Sequence, residues 1–362
     1  MPFQIIRNDI TKVKADAIVN SANPKPIFAD GTDAAIYKAA GEDLLLAERR
    51  KIGNIARGDA AVTPAFSLSA KYIIHTVGPV WVDGNQGEFD ILKNCYRNSL
   101  EKAHELKCES IAFPLISTGV YGFPKDKALK IAMNEISDFL FRDDVDMQVN
   151  LVVFDDGSFR LSKNLFYEIA SYIDDESVVE AYKKEYELSD EEYMDEVSRS
   201  KRHSERIILQ RNGGRYGNIR HFDSEHFFQK PEKEFDPSLF MHEKSDDFSF
   251  RDALFRYLNE KNIDNNDAYK RSNIDRRAFA KILSGETKVP KKSTVFAFCI
   301  GLDLSIPESE ELLASAGMAF TPSNNWDRLV MHFIETGNKD FGDINSAMIA
   351  CKHPQLGLSF DD

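Results

Sequence analysis

Two asparagines and one aspartate set the first chemical question in this chain. Asn20 closes an apolar, strand-like run that begins at Ala17, and Asn23 follows three residues later. Asp33 comes ten residues after Asn23 and opens a helical pattern. Amides at the end of a buried strand are costly unless something satisfies them, so this segment is read as holding a polar partner. A lone Asp at a helix start also has a plainer reading, an N-cap. The second candidate is Ser117-Thr118-Gly119-Val120-Tyr121-Gly122-Phe123, directly after the strand-like IAFP. Its glycines let the backbone approach a ligand closely, and its amides could bind phosphate. Taken alone it could equally be an ordinary strand-to-helix turn.

The elements that must position these residues alternate in type. Strands are expected at Phe3–Arg7, Ala17–Asn20, Tyr72–Thr76, Ser110–Pro114 and Asn150–Phe154. Helical patterns start at Asp33–Ala40 and run over Glu88–Leu106 and Lys125–Phe141. Such alternation predicts an α/β sheet between helical layers. Apolar strand cores such as LVVF suit strands covered on both faces. The candidates Asp9, Asn20 and Asn23, the 117–123 loop, and Phe154 all follow strand ends, where open α/β sheets bind ligands.

Composition limits the function classes. A chain of 362 residues with 42% hydrophobic content supports more than one packed domain. A formal net charge of −13 argues against coating nucleic acid or anionic membrane by bulk charge. Cys95, Cys108, Cys299 and Cys351 are scattered without a CxxC pair, which fits a reducing cytoplasm better than a disulfide framework. No stretch is long and apolar enough to span a bilayer, and no signal-type start is evident, so a cytoplasmic location is expected.

NDIT, VNSAN, GTDAAIYKAAG, YIIHTVGP and IAFPLISTGVYGFP occur in this order over residues 1–170. Together they resemble the macrodomain family, which binds ADP-ribose, and most of all its MacroD-type hydrolytic branch. The resemblance implies a three-layer α/β/α sandwich with a mixed central sheet. It implies that Asp9 and the Ile10 backbone contact adenine, and that Phe154 lies near it. Asn23 would hold the distal ribose, with Asn20 bracing the loop. Asp33 would position or activate a water near the anomeric carbon, assisted by Tyr37. Gly31 and Ser117, Thr118, Gly119, Val120, Tyr121 and Gly122 would wrap the diphosphate, and Phe123 would pack on the distal ribose. The implied reaction removes mono-ADP-ribose from acidic side chains of proteins, or deacylates O-acyl-ADP-ribose. It needs no cofactor or metal: a carboxylate stabilises positive charge at the anomeric carbon and can take a proton from water. The competing reading is a non-catalytic ADP-ribose reader.

The sequence departs from the family pattern in two places. The loop before the aspartate reads Phe28-Ala29-Asp30-Gly31-Thr32, with Gly31 where several glycines are usual, and Tyr37 stands where many hydrolytic members carry histidine. His75 is read as a largely buried strand histidine rather than a catalyst. Cys95 and Cys108 have no accompanying histidine cluster, so a zinc site is not expected.

The chain therefore divides into an expected macrodomain at 1–175, a charged helical connector or linker at 176–245, and an all-α domain at 246–362. Within the last, the segment from Leu254 to Leu304 resembles a Cro/repressor-type helix-turn-helix in spacing and punctuation. That likeness would place Arg276, Arg277 and Lys281 on a helix able to contact DNA or a protein partner. A solvated basic face is the plainer alternative.

Overall fold

The computed structural model describes residues 3–28, 30–142, 145–153, 163–170, 179, 183, 189–211, 249–321 and 323–357. Six strands, β1 (Phe3–Arg7), β2 (Ala17–Ser21), β3 (Ala60–Pro64), β4 (Tyr72–Thr76), β5 (Ser110–Pro114) and β6 (Gln148–Val153), form one sheet in the order β1-β6-β5-β2-β4-β3. Every pairing is parallel except that of β3 with β4, so the sheet is mixed. The carboxyl ends of β1, β2, β4, β5 and β6 consequently open on one side.

Period-two alternation sorts the strand side chains into two cores. Ile18, Ile73, Ala112 and Val152 face a cluster with α1 (Thr32–Ala40) and α2 (Glu42–Ile52). Val19, Ile74, Phe113 and Leu151 face the other way, toward α3 (Glu88–Glu105) and α4 (Lys125–Leu140). The result is the expected three-layer sandwich. On α1 the buried stripe is Asp33, Ile36, Tyr37 and Ala40, and on α2 it is Leu45 and Arg49. Both stripes follow the i, i+3, i+4 rule of a single helix face, yet each carries polar or charged groups inward.

Two elements lack a clear pattern in the sequence. Helix α2 reads as a charged surface run, and β3 is a short AAVTP segment at the sheet edge. The other strands lie within a residue or two of expectation; Phe154, the expected end of β6, is outside the described residues.

The C-terminal region is all helical, with helices at Phe250–Glu260, Asn265–Arg271, Arg276–Ser284, Lys292–Gly301, Ile306–Ser315, Asn325–Thr336 and Phe341–Ala350. Side chains of Ser249, Asp264, Asp275, Ser305, Asn324 and Asp340 cap the amino ends of all of these but Lys292–Gly301. The connector contains a helix, Asp190–Arg211, on which Arg199 pairs with Asp195 and Glu196. The Gly- and Asn-rich stretch after it falls outside the described residues.

The helical region closes the open edge of β1. Asn273 Oδ1 accepts from the Phe3 N–H at 2.9 Å, and its Nδ2 donates to the Phe3 carbonyl at 3.2 Å. Gln355 treats Ile5 the same way, accepting from its N–H at 3.2 Å and donating to its carbonyl at 2.7 Å. Two side-chain amides thus stand in for the missing neighbouring strand. Phe3 and Ile5 share one apolar cluster with Phe250, Phe279, Phe298 and Leu356. No helix among the described residues is long and apolar enough to cross a membrane.

Candidate functional site

A cleft of about 360 Å³ lies over the carboxyl ends of β2, β5 and β6. Its walls come from three places in the sequence: Ser21–Asn23 after β2, Asp30–Asp33 at the start of α1, and Ser117–Tyr121 with Lys125 at the start of α4. Pro114, Leu115, Val152 and Val153 form an apolar floor and rim.

Asp33 is the buried carboxylate of the cleft, 3% exposed. It does not cap its helix: Gly31 is the N-cap residue, with φ +78, and no side-chain cap bond is made. Its Oδ1 instead accepts from Asn20 Nδ2 at 2.6 Å. The same nitrogen lies 3.2 Å from His75 Nδ1, and His75 Nε2 lies 2.9 Å from Thr63 Oγ1. An amide nitrogen can only donate, so Nδ1 is the acceptor and the His75 proton sits on Nε2, pointing to Thr63. Burial holds the His75 pKa down to about 3, with the Arg49 charge adding to the effect, so the ring is neutral. His75 is therefore a fully buried strand residue, as expected, but one that fixes the orientation of Asn20.

Tyr37 and Arg49 are buried on α1 and α2, with the Tyr37 ring 6.4 Å from that of His75. Burial pushes the Tyr37 phenol up to about 12, and the negative charge of Asp33 adds to this. The Arg49 guanidinium nearby pulls the other way. Arg49 is 1% exposed and donates from Nη1 to the Gly53 carbonyl at 2.8 Å and from Nη2 to the Asn23 carbonyl at 3.2 Å. Asn23 lines the cleft, and its Oδ1 accepts from the Lys25 N–H at 3.1 Å.

The 117–123 loop is tied at its ends and open in the middle. Phe123 N–H donates to the Ser117 carbonyl at 3.0 Å, Gly122 N–H to the Gly119 carbonyl at 2.9 Å, and Thr118 Oγ1 to the Leu115 carbonyl at 2.9 Å. Among the described residues, the N–H groups of Thr118, Gly119, Val120 and Tyr121 have no protein acceptor. They lie immediately before the amino end of α4, whose dipole favours an anion there. Gly122 takes φ +67, the left-handed turn that brings the chain back into α4. Ser117 takes φ +66 despite its side chain.

Of the residues singled out in the sequence, Asn23, Gly31, Asp33 and Ser117–Tyr121 line this cleft together. Asn20 and Tyr37 sit behind it as buried supports. Asp9 caps the 3₁₀ turn Ile10–Lys12 and accepts from Thr11 N–H and Oγ1, which with the hydroxyl bond as the largest effect lowers its pKa. It follows the end of β1, beside the cleft-lining Val153, to which Asn8 N–H donates. Phe123 is 1% exposed and packs edge-on against Trp81 at 4.8 Å and Phe89 at 5.8 Å, inside the fold rather than on the cleft wall. Phe154 lies outside the described residues. Arg277 pairs with Glu109 at 2.8 Å and Arg276 with Asp146 at 3.5 Å, so both reach the amino ends of β5 and β6. Lys281 lies one turn farther along the same helix.

Sequence reasoning missed Arg49, Arg57 and Lys125. Arg57 stacks on the Tyr121 ring at 5.3 Å and donates to the Gly78 carbonyl. The signal for Arg49 was its spacing of four from Leu45, which puts it on the buried face of α2. Among the described residues no group of three or more His, Cys, Asp or Glu is arranged to hold a metal ion.

Known proteins share this arrangement in sequence. The Macro domain family model matches residues 19–132. A "Macro domain-containing protein" of Methanosarcina mazei is 43% identical over 167 residues, covering 46% of this chain and 89% of that protein. The "O-acetyl-ADP-ribose deacetylase" of Salmonella typhimurium is 46% identical over 166 residues, covering 45% of this chain and 93% of that protein. Among solved structures, an Oceanobacillus iheyensis macrodomain with ADP is 39% identical and covers 43% of this chain and 85% of that one, with a TM-score of 0.40.

Proposed function

The chain belongs to the macro domain family, and from that membership we propose that its cleft binds ADP-ribose and hydrolyses ADP-ribosyl esters. The substrates would be mono-ADP-ribose on acidic side chains of proteins, or O-acyl-ADP-ribose, the class named for the Salmonella relative. The observation that carries this reading is the shared cleft: a buried carboxylate, Asp33, lies across from the run of unpaired amides at 118–121. Those amides and Lys125 suit a diphosphate, and Asn23 suits the distal ribose hydroxyls. Asp33, oriented by Asn20, would hold a water for attack at the ester-bearing end. That water supplies hydroxide to one fragment and a proton to the other, so no redox partner enters. The Asp9 edge is left for adenine.

We assign this activity to a domain at 1–175, joined through 176–245 to a helical domain at 246–362 that would select the target. The alternative, a non-catalytic reader docking on DNA or a protein partner through Arg276, Arg277 and Lys281, has less support, since Arg276 and Arg277 pair with Asp146 and Glu109 of the same chain. The single Gly31 of the loop and Tyr37 in place of histidine favour this alternative, and Asp30 on the cleft wall would weaken binding unless it turns to solvent, to which it is exposed.

The test measures release of ADP-ribose from a glutamate-modified protein and of acetate from O-acetyl-ADP-ribose, with wild type beside Asp33→Ala. Binding of free ADP-ribose is followed by calorimetry. Turnover should depend on Asp33, with affinity changed less than about tenfold. Tight binding without turnover on either substrate would make the chain a reader, and absence of binding would end the proposal.

A further inference from the structure

Glu88 is a buried carboxylate that none of the roles above uses: it is 2% exposed and opens α3. Leaving water is costly for a carboxylate unless donors surround it. Here the donors are backbone amides of the turn just before it. Its Oε1 accepts from the N–H groups of Val82 at 3.2 Å, Asp83 at 3.3 Å and Gly84 at 3.1 Å, and its Oε2 from that of Gln86 at 2.6 Å. Burial alone would raise its pKa, but bonds from backbone amides hold it down to about 2, so the group is ionised at neutral pH.

The residue before this turn meets the cleft loop. Trp81 N–H donates to the Tyr121 carbonyl at 2.8 Å, and Gly122 N–H donates to the Gly119 carbonyl at 2.9 Å. The peptide unit joining Tyr121 to Gly122 is therefore held at both its oxygen and its nitrogen, and being planar it moves only as a whole. It closes the turn whose N–H groups at 118–121 face no protein acceptor among the described residues. The Trp81 ring is fixed as well, edge-on to Phe123 at 4.8 Å and to Phe89 at 5.7 Å, with the Lys127 ammonium 5.1 Å from its centre.

We propose that Glu88 is a positioning residue for the ligand's diphosphate: it gathers the 82–86 turn around one carboxylate, and through Trp81 that turn fixes the Tyr121–Gly122 peptide and the amides before it. This rests on the reading of the cleft as an ADP-ribose site. Glu88 is not among the residues that line the cleft, so it acts through backbone bonds and not on the ligand. A carboxylate suits the task because both of its oxygens accept. An amide in its place would turn a donor toward one side of the turn, against a backbone N–H.

The test uses the full chain, wild type beside Glu88→Gln, which keeps the size of the side chain and removes one accepting oxygen. Without ligand, hydrogen exchange of the Trp81 and Gly122 amides should speed up at least about tenfold, while exchange in β5 and β6 stays as in wild type. ADP-ribose should bind at least about tenfold more weakly and adenosine within about twofold of wild type, because adenosine lacks the diphosphate that the loop would hold. Faster exchange confined to residues 82–86, with Gly122 and the ADP-ribose affinity unchanged, would make Glu88 a tie of its own turn and overturn the proposal. Equal weakening of both ligands, or faster exchange in the sheet, would mean general loosening and overturn it as well. Should Glu88→Gln not fold, Gly84→Ala disturbs the same turn from its other side, since its Cβ would meet Trp81 Cη2 and Phe89 Cε2, each at 2.9 Å. The same pattern is then expected at Gly122 and in the two affinities, and the same results overturn it. A wild type that binds no ADP-ribose would sink the reading of the cleft, and the ligand-free exchange at Gly122 would still decide whether Glu88 fixes the loop.

Discussion

Gly78→Ala offers a sharp test of how the 117–123 loop is held. Gly78 follows β4, two residues past its end, and lies directly under Ser117. A Cβ added there would meet Ser117 Oγ at 1.9 Å, Ile116 Cγ2 at 3.0 Å and Ser117 Cβ at 3.3 Å. Ordinary contact begins at 3.4 Å, so the hydroxyl must move by about 1.5 Å. It can rotate, but the Ile116 and Ser117 carbons remain tight and must give by a few tenths of an ångström. Overpacking of this kind costs about 1–3 kcal/mol. Ser117 is itself strained: it sits at φ +66 with a buried Oγ that has no partner among the described residues. Ser117→Gly removes a left-handed penalty of about 1–2 kcal/mol and adds back about 0.5–1 kcal/mol of unfolded-chain entropy. On its own it should be neutral to slightly stabilising. In the Gly78→Ala background it should recover at least about 1 kcal/mol more than additivity allows. Urea unfolding of the four chains gives the cycle, and ADP-ribose calorimetry shows whether the loop amides moved. Wild-type stability in Gly78→Ala, or additivity within about 0.3 kcal/mol, would refute the close-packing argument.

Two further outcomes follow from the same structure. His75 has its pKa held near 3 in the fold against an ordinary 6.5, so between these values the unfolded chain binds more protons than the folded one. Its contribution to stability is therefore whole above pH 6.5 and falls as pH drops toward 3, by up to about 1.4 kcal/mol per unit. The difference between wild-type and His75→Gln unfolding at pH 7, 5 and 4 isolates this slope, and a flat difference would contradict it. Asn273→Ala leaves the Phe3 N–H and carbonyl unpaired at the edge of β1, and each buried polar group so exposed costs about 1–3 kcal/mol. Gln355→Ala should cost less, since its bonds are only partly buried. Unchanged denaturation midpoints in both would mean that the helical region does not cap the sheet.

Much of this architecture is legible in the residues themselves. The strand runs alternate around apolar cores and the helices carry caps, because periodicity and capping act over a few residues. Elements without such local marks were missed. The run ERRK in α2 resembles any solvated helix surface, and only its spacing of four from Leu45 marks Arg49 as the residue that turns inward while Arg50 and Lys51 stay out. The strand AAVTP is legible only beside β4, whose register it follows from Ala60 opposite Thr76 to Pro64 opposite Tyr72.

Local composition and spacing suffice for the sandwich, the strand-end positions of the two asparagines, and the glycine-bearing turn. Tertiary structure decided how those residues divide the work. Asn20 lies opposite His75 in the sheet and so faces inward to orient Asp33, whereas Asn23, past the strand, lines the cleft. Phe123 was drawn into a cluster with Trp81 and Phe89, and Arg276 and Arg277 reached acids far away in sequence. Side-chain burial and ion pairing depend on what lies a few ångströms away, and that neighbour is supplied by strand register and helix docking, which short-range pattern does not specify.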